Sequence, residues 1–279
     1  MGGRLDRPWP TRTPTAGQRA RRRQATTGTI AWLDDYGRWK HAELGACVGL
    51  PVWTFPPTRE PHLHRGRMTV CGWVAFSHAE AMKVYESAAE RDVLLELEFD
   101  RDVVAVSSQP FVIRLADDTE HRPDFAVRLT GGRVAIVEVK DGAKAKADHE
   151  GQPATTTLSG SLARLGWTYL TMVPPPLARR RNLRWLRGSR AQDGDLKLLA
   201  ARMLATAATS ARIADLVAIA HPAISRPVVG RLLWQQRLVC DLDRVLNDQT
   251  TVRTRDVDDP ARGPEAQTAD VAAREQVDR

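Results

Sequence analysis

Cysteine is scarce in this chain: Cys47, Cys71 and Cys240 are the only thiols in 279 residues. They are scattered, and no two have the spacing of a metal-ligand pair. That argues against a disulfide framework and a cysteine zinc knuckle, and makes a reduced cytosolic setting the expectation. His62 and His64 lie near Cys71, but no fourth ligand accompanies them, so a zinc site gains no support. Long apolar runs are also missing, which excludes a bilayer-spanning helix, and the Arg-rich N-terminus lacks the apolar segment of a secretory signal. No internal repeat is visible, which argues against a solenoid.

Basic charge is what the chain has in excess. Lys and Arg number 41 against 34 Asp and Glu, giving a net charge of +7 and a calculated pI near 9.8. Arg19, Arg21, Arg22 and Arg23 form an N-terminal basic arm. Arg179, Arg180, Arg181, Arg184, Arg187 and Arg190 form a second cluster. Guanidinium groups massed in this way contact phosphates and release counterions, giving salt-sensitive affinity with little sequence information. For the arm, a solubilising tail is the alternative.

The densest chemistry lies at His121-Arg122-Pro123-Asp124-Phe125, followed by Val137-Glu138-Val139-Lys140. Asp124 and Glu138 offer the hard oxygens that a divalent ion takes, the Val139 carbonyl can join them, and waters fill an octahedral shell. Side chains two apart on a strand share a face, so Glu138 and Lys140 point one way and Val139 points into the core. Lys140 would then stand beside the attacking water of a phosphodiester hydrolysis. An exposed strand end with solvated charges is the plain alternative. The triplet Asp195-Leu196-Lys197 has the same loose form but opens a helix.

Parity decides whether the two carboxylates can meet. The apolar segments 125–129 and 133–137 flank Thr130-Gly131-Gly132 and read as a hairpin. A two-residue Gly-Gly loop would set Asp124 opposite Val139, with the carboxylates on opposite faces. A three-residue loop, with 129 opposite 133, sets Asp124 opposite Glu138. An odd loop or a compensating bulge is therefore expected.

A third carboxylate is expected from the preceding helix. Glu90, Val93, Leu94 and Leu97 follow the i, i+3, i+4, i+7 pattern of a sheet-facing stripe, so Glu90 is either a metal ligand or, with Ser87, half of a capping box. Glu86 is the substitute, and Asp92 and Glu96 are assigned to the solvated side.

Patterning gives an α/β organisation with a mixed central sheet. A flexible arm (1–28) precedes a catalytic domain (29–190) with a Trp-bearing N-terminal extension. The core is expected as a helix at 87–98, strands near 103–107, 111–115, 121–129 and 133–140, a helix at 155–165 and a strand at 167–173. Residues 191–254 read as helices closing into a short β-ribbon, a winged-helix-like domain. Its third helix is expected to open at an N-cap Ser225 before Pro227. Arg226, Arg231, Gln235 and Arg237 are candidates to face DNA, or the domain is a protein-interaction module. Residues 255–279 lack an apolar stripe and are expected to be disordered.

Glu90, Pro123-Asp124 and Glu138-Val139-Lys140, on a helix and hairpin, resemble the PD-(D/E)xK restriction-endonuclease-like pattern. More narrowly, Tyr85 to Asp92, Glu98-Phe99-Asp100-Arg101-Asp102-Val103-Val104 and Ser108-Gln109-Pro110-Phe111 resemble TnsA-type endonuclease subunits of heteromeric transposases. The likeness runs from about Trp32 to Arg190 and includes Gly166-Trp167-Thr168-Tyr169 and Asn182-Leu183-Arg184-Trp185-Leu186. It implies cleavage of the non-transferred strand at the ends of a transposon in double-stranded DNA. Asp124, Glu138, Glu90 and the Val139 carbonyl would hold Mg²⁺, with Mn²⁺ able to substitute, and Lys140 would serve the water. It also implies a DDE-type transposase and an AAA+ ATPase as partners, and a bacterial, nucleoid-associated cytoplasmic setting. In that family the C-terminal domain is associated with the ATPase. A stand-alone restriction or repair nuclease and a non-catalytic DNA-bound adaptor are the competing classes.

Overall fold

The computed structural model describes residues 28–59, 70–76, 82–115, 118–140, 153–189 and 196–255. The chain divides into two compact units at Pro175 and Pro176. The basic arm with Arg21, Arg22 and Arg23, the C-terminal residues from 256 and Arg190 lie outside the described residues. Among those described, no helix is long and apolar enough to cross a membrane.

The first unit is mixed α/β. Strands β1 (Thr29–Leu33) and β2 (Trp39–Glu43) form a hairpin, and β3 (Gly72–Ala75) pairs with β4 (Met82–Tyr85). Helix α1 spans Ala88–Phe99 and leads to β5 (Val103–Ser108), β6 (Val112–Arg114), β7 (Glu120–His121), β8 (Phe125–Leu129) and β9 (Val134–Val139). Helix α2 (Pro153–Ala163) and β10 (Trp167–Met172) complete the unit. One sheet has the order β10-β9-β8-β5, with β10 parallel to β9 and the other pairs antiparallel, which is the mixed sheet that patterning anticipates.

A second four-stranded sheet was not foreseen. Its order is β2-β1-β6-β7, so segments expected in a continuous run belong to two sheets. The expected strand 121–129 breaks between His121 and Phe125, where Pro123 has no N–H to give a ladder. On the other side of the crossing, Gln109 precedes Pro110 and takes a left-handed φ of 45°. The Gln109 N–H donates to the Asp124 carbonyl at 2.7 Å, tying the two crossings together.

The two faces of the mixed sheet bury different partners. Phe125, Val127, Ala135 and Val137 pack with Val93, Leu94 and Leu97 of α1. Ala126, Val134 and Ile136, on the other face, pack with Leu158 and Leu162 of α2, with Trp167, and with Ile30, Leu44 and Val52 of the N-terminal extension. The stripe 93, 94, 97 thus faces the sheet as its spacing requires. Asp92 does not fall on the solvated side: it is 1% exposed and paired with Arg91 at 3.3 Å. A buried carboxylate needs such a partner, and hydrophobic spacing alone does not register it.

The second unit contains α3 (Leu177–Gly188), α4 (Lys197–Thr206), β11 (Ala211–Arg212), α5 (Ile213–Val217), α6 (Pro222–Trp234), β12 (Leu238–Val239) and β13 (Thr251–Thr254). The three strands form an antiparallel sheet in the order β11-β13-β12. Helix α3, expected within the catalytic domain, belongs here instead. Leu183 and Leu186 are fully buried, and the helix packs on α6, where Gly230 leaves room for it. A Cβ on Gly230 would come within 2.5 Å of the Ser189 hydroxyl and 3.5 Å of the Trp185 ring. Helix α6 opens three residues earlier than Ser225, capped by the His221 ring accepting from the Ala223 N–H at 3.3 Å. Pro222 takes the first helical position, so Ser225 is buried inside the helix rather than capping it.

Asn182 organises the loop after β12. Its side-chain amide donates to the carbonyls of Leu242 and Arg244 at 2.8 and 2.7 Å, and accepts from the Leu246 N–H at 3.2 Å. Asn182→Ala strands three backbone groups and is expected to destabilise the protein by about 2–3 kcal/mol in denaturant unfolding. A change of under about 0.5 kcal/mol would show that the loop finds other partners.

Candidate active site

The hairpin β8–β9 has the odd loop that parity asks for. Phe125 pairs with Val137, Ala126 with Ile136, Val127 with Ala135 and Arg128 with Val134, around the three-residue loop Thr130–Gly132. The Leu129 N–H donates to the Arg133 carbonyl at 2.9 Å, so 129 faces 133. The ladder ends at Phe125 and Val137; the next residue, Asp124, turns its N–H to the same Val137 carbonyl, and the Glu138 charge is close enough to raise the Asp124 pKa. Gly131 and Gly132 hold φ of 74° and 80°, which a side chain would resist. Deleting Gly132 forces an even loop and turns one carboxylate to the other face. Metal-dependent cleavage is expected to be lost in that variant, and wild-type cleavage rates would overturn the register argument.

Asp124 is fixed by backbone. Its N–H donates to the Val137 carbonyl at 3.1 Å, and its Oδ2 accepts from the Val139 N–H at 2.6 Å. Burial pushes its carboxyl up to about 8, the Glu138 charge pushes the same way, and the Val139 N–H opposes them; Glu90 and Glu86 add to the rise. Burial likewise raises Glu138 to about 7, against the lowering effect of Lys140 and with a further push from Glu90. Lys140 extends the strand, its N–H donating to the Met172 carbonyl at 2.9 Å. Two desolvated carboxylates that repel each other beside one ammonium constitute a site short of positive charge.

Two further side chains join the site. His121 Nε2 lies 3.3 Å from Glu138 Oε2, within ion-pair range but without the alignment of a hydrogen bond, so both atoms are buried and unsatisfied. Burial lowers the His121 pKa, favouring the neutral ring. Tyr169 meets that ring edge-on at 6.1 Å between centroids. Its hydroxyl is raised above its ordinary range by burial and by the Glu138 and Asp124 charges, so it stays a donor. His121 was in view in the sequence but carried no role. Tyr169 could have been found by parity: β9 and β10 place Thr171 beside Glu138, and Tyr169 is two residues away on the same face.

Glu90 does not complete a three-carboxylate cage. The Ser87 hydroxyl donates to Glu90 Oε1 at 2.8 Å and accepts from the Glu90 N–H at 3.1 Å, while the Glu86 N–H donates to Oε2 at 2.7 Å. This is the capping arrangement, except that the amide reached is that of Glu86 rather than Ser87. Burial raises the Glu90 pKa, with the Glu86 N–H bond opposing. Among the described residues, no three His, Cys, Asp or Glu side chains converge as a ready-made metal cage. Glu86, the substitute, pairs with Arg59 at 3.2 Å. Arg122 lies nearby, its cation disfavoured by burial and by Arg59.

The residues present fit a divalent ion through Asp124 and Glu138, whose donor atoms are hard oxygens and whose burial without enough positive charge is unfavourable. In the second unit, Arg181 and Arg184 of α3 are exposed beside the half-exposed Trp185, while Arg179 pairs with Asp243 at 3.7 Å and Arg180 is partly buried. Arg226, a candidate to face DNA, is bound by Asp248 through two contacts at 2.8 and 3.0 Å. The chain matches no protein-family model and no curated protein sequence.

Proposed function

We propose that this protein is a Mg²⁺-dependent DNA endonuclease whose active site is the cross-strand pair Asp124 and Glu138 with Lys140. The observation that supports this reading is the end of the β8–β9 hairpin, where two desolvated carboxylates are close enough for the charge of Glu138 to act on Asp124 and the ammonium of Lys140 on Glu138. Asp124, Glu138 and the Val139 carbonyl would hold the ion, and Glu90 and Glu86 deepen the negative potential around it. A bound divalent ion supplies Lewis acidity toward a phosphodiester oxygen. The Lys140 ammonium, adjacent to Glu138, orients the attacking water and balances charge that grows on phosphorus. Tyr169, kept protonated, donates from the same face.

The helix α1, the mixed sheet and the hairpin site support a restriction-endonuclease-like first unit. The order helix, strand, two helices, two strands after α3 supports a winged-helix-like second unit. The motif blocks at 85–92, 98–104 and 108–111 favour the specific role of a TnsA-type subunit, cutting the non-transferred strand at transposon ends alongside a DDE-type transposase and an AAA+ ATPase. The test is cleavage of end-containing DNA with Mg²⁺, with and without the transposase. Cleavage only in its presence supports the subunit reading, cleavage of arbitrary plasmid by the chain alone supports a stand-alone nuclease, and no cleavage in either supports the adaptor.

Arg181 and Arg184 are the described members of the basic cluster best placed for phosphate. Replacing each by Ala is expected to weaken DNA binding uniformly across sequences. Each should also reduce the slope of log K against log salt by about 1. An unchanged slope would assign that face to protein contact.

A further inference from the structure

We propose that the imidazole of His121 is a nitrogen ligand, beside Glu138, of the ion held by Asp124 and Glu138, which would draw the three side chains closer than they stand, so that the site favours first-row transition ions over Mg²⁺. The inference rests on the metal-site reading above and adds a ligand of a different chemical class. His121 Nε2 and Glu138 Oε2 face each other at 3.3 Å, both buried and neither aligned in a hydrogen bond. Leaving two polar atoms in that condition is costly, and a cation bonded to both removes the cost. The backbone of His121 pairs with Ile113 in the β6–β7 ladder, and its ring stands in a T-shaped contact with Tyr169, 6.1 Å between centroids.

The chemistry follows from donor type. Carboxylate and water oxygens suit Mg²⁺, a hard ion that dehydrates reluctantly, whereas an imidazole nitrogen is accepted far more readily by Mn²⁺, Co²⁺ and their neighbours. Two carboxylates alone would leave Mg²⁺ and Mn²⁺ weakly distinguished. Placing an imidazole against Glu138 tips the balance. His121 enters from β7, in the other sheet, so this selectivity depends on the chain crossing at Pro123 between two sheets.

The test uses the full chain loaded with Mn²⁺ and examined by electron spin echo envelope modulation, with Mn²⁺ and Mg²⁺ affinities from calorimetry. A directly bonded ¹⁴N coupling is expected in the wild type and should vanish in His121→Ala and His121→Gln. Those variants should still bind Mn²⁺, about tenfold more weakly, with Mg²⁺ affinity little changed. A wild-type spectrum without nitrogen coupling, or a coupling that survives both variants, overturns the proposal. Equal weakening of Mn²⁺ and Mg²⁺ also overturns it, since that marks His121 as a mere support for Glu138. Thermal unfolding of His121→Gln reports whether the fold is kept. If Asp124→Asn leaves Mn²⁺ binding intact, the underlying metal-site reading fails instead; if the wild type binds no Mn²⁺, both fail.

Discussion

Asp124→Asn and Lys140→Ala are each expected to abolish Mg²⁺-dependent DNA cleavage while leaving the protein folded. Asparagine keeps an oxygen to accept from the Val139 N–H, which Asp124 Oδ2 now does at 2.6 Å, so the local backbone survives while the charged ligand is lost. It also removes one of two mutually repelling buried carboxylates. Lys140→Ala leaves its N–H on the Met172 carbonyl, so β9 and β10 remain paired. Loss of the ammonium should cost on the order of 10²–10⁴-fold in rate, the range for a positioned proton-transfer or charge-stabilising group. Single-turnover cleavage of labelled DNA measures both. Full activity in the two variants would refute the assignment of the site.

Metal-free protein is expected to lose stability as pH rises, and divalent ions are expected to restore it. Asp124 goes from an ordinary 3.8 to about 8 on folding and Glu138 from 4.5 to about 7. Between those limits the folded chain binds more protons than the unfolded one, so stability falls from about pH 4 and the loss is complete above about pH 8. His121 acts in the opposite sense: burial favours its neutral form, so it costs stability as pH drops below its ordinary 6.5. The fall should therefore be clearest between about pH 6.5 and 8. At about 1.4 kcal/mol for each tenfold change in proton affinity, the carboxylates set a ceiling of several kcal/mol, and partial solvation brings the expectation to a few. Saturating Mg²⁺ at about a hundredfold over its Kd adds about 2.7 kcal/mol. The check is Tm against pH, with and without metal. A flat or rising metal-free curve over pH 6.5–8 would contradict the burial of the two carboxylates, and Asp124→Asn should flatten it.

Legibility in the sequence was uneven, for physical reasons. The hairpin was readable because strand period is two and the loop is bounded by glycines, so parity left one register that serves the metal. Residues 93, 94 and 97 were readable because helix period marks a buried stripe. Glu90 was ambiguous because a capping box and a metal ligand ask for the same residue at the same place. Asp92 escapes a reading by spacing, because spacing reports hydrophobicity and not the proximity of Arg91. The start of α6 was misplaced because two prolines five residues apart each mimic a helix opening, and the His221 ring cap is not among the usual side-chain signals.

Taken by itself, the sequence determined local matters: which segments alternate, where the loop of β8–β9 turns, and that Asp124, Glu138 and Lys140 lie toward one end of that hairpin. Those depend on neighbours within a few residues, through backbone geometry and side-chain period. Tertiary structure decided that His121 and Tyr169 stand against Glu138, that Glu90 commits its oxygens to its own helix terminus, and that α3 belongs with α6. Each of these joins residues far apart in the chain or turns on a choice between local partners, and such pairing is set by which surfaces bury together, which no local pattern encodes.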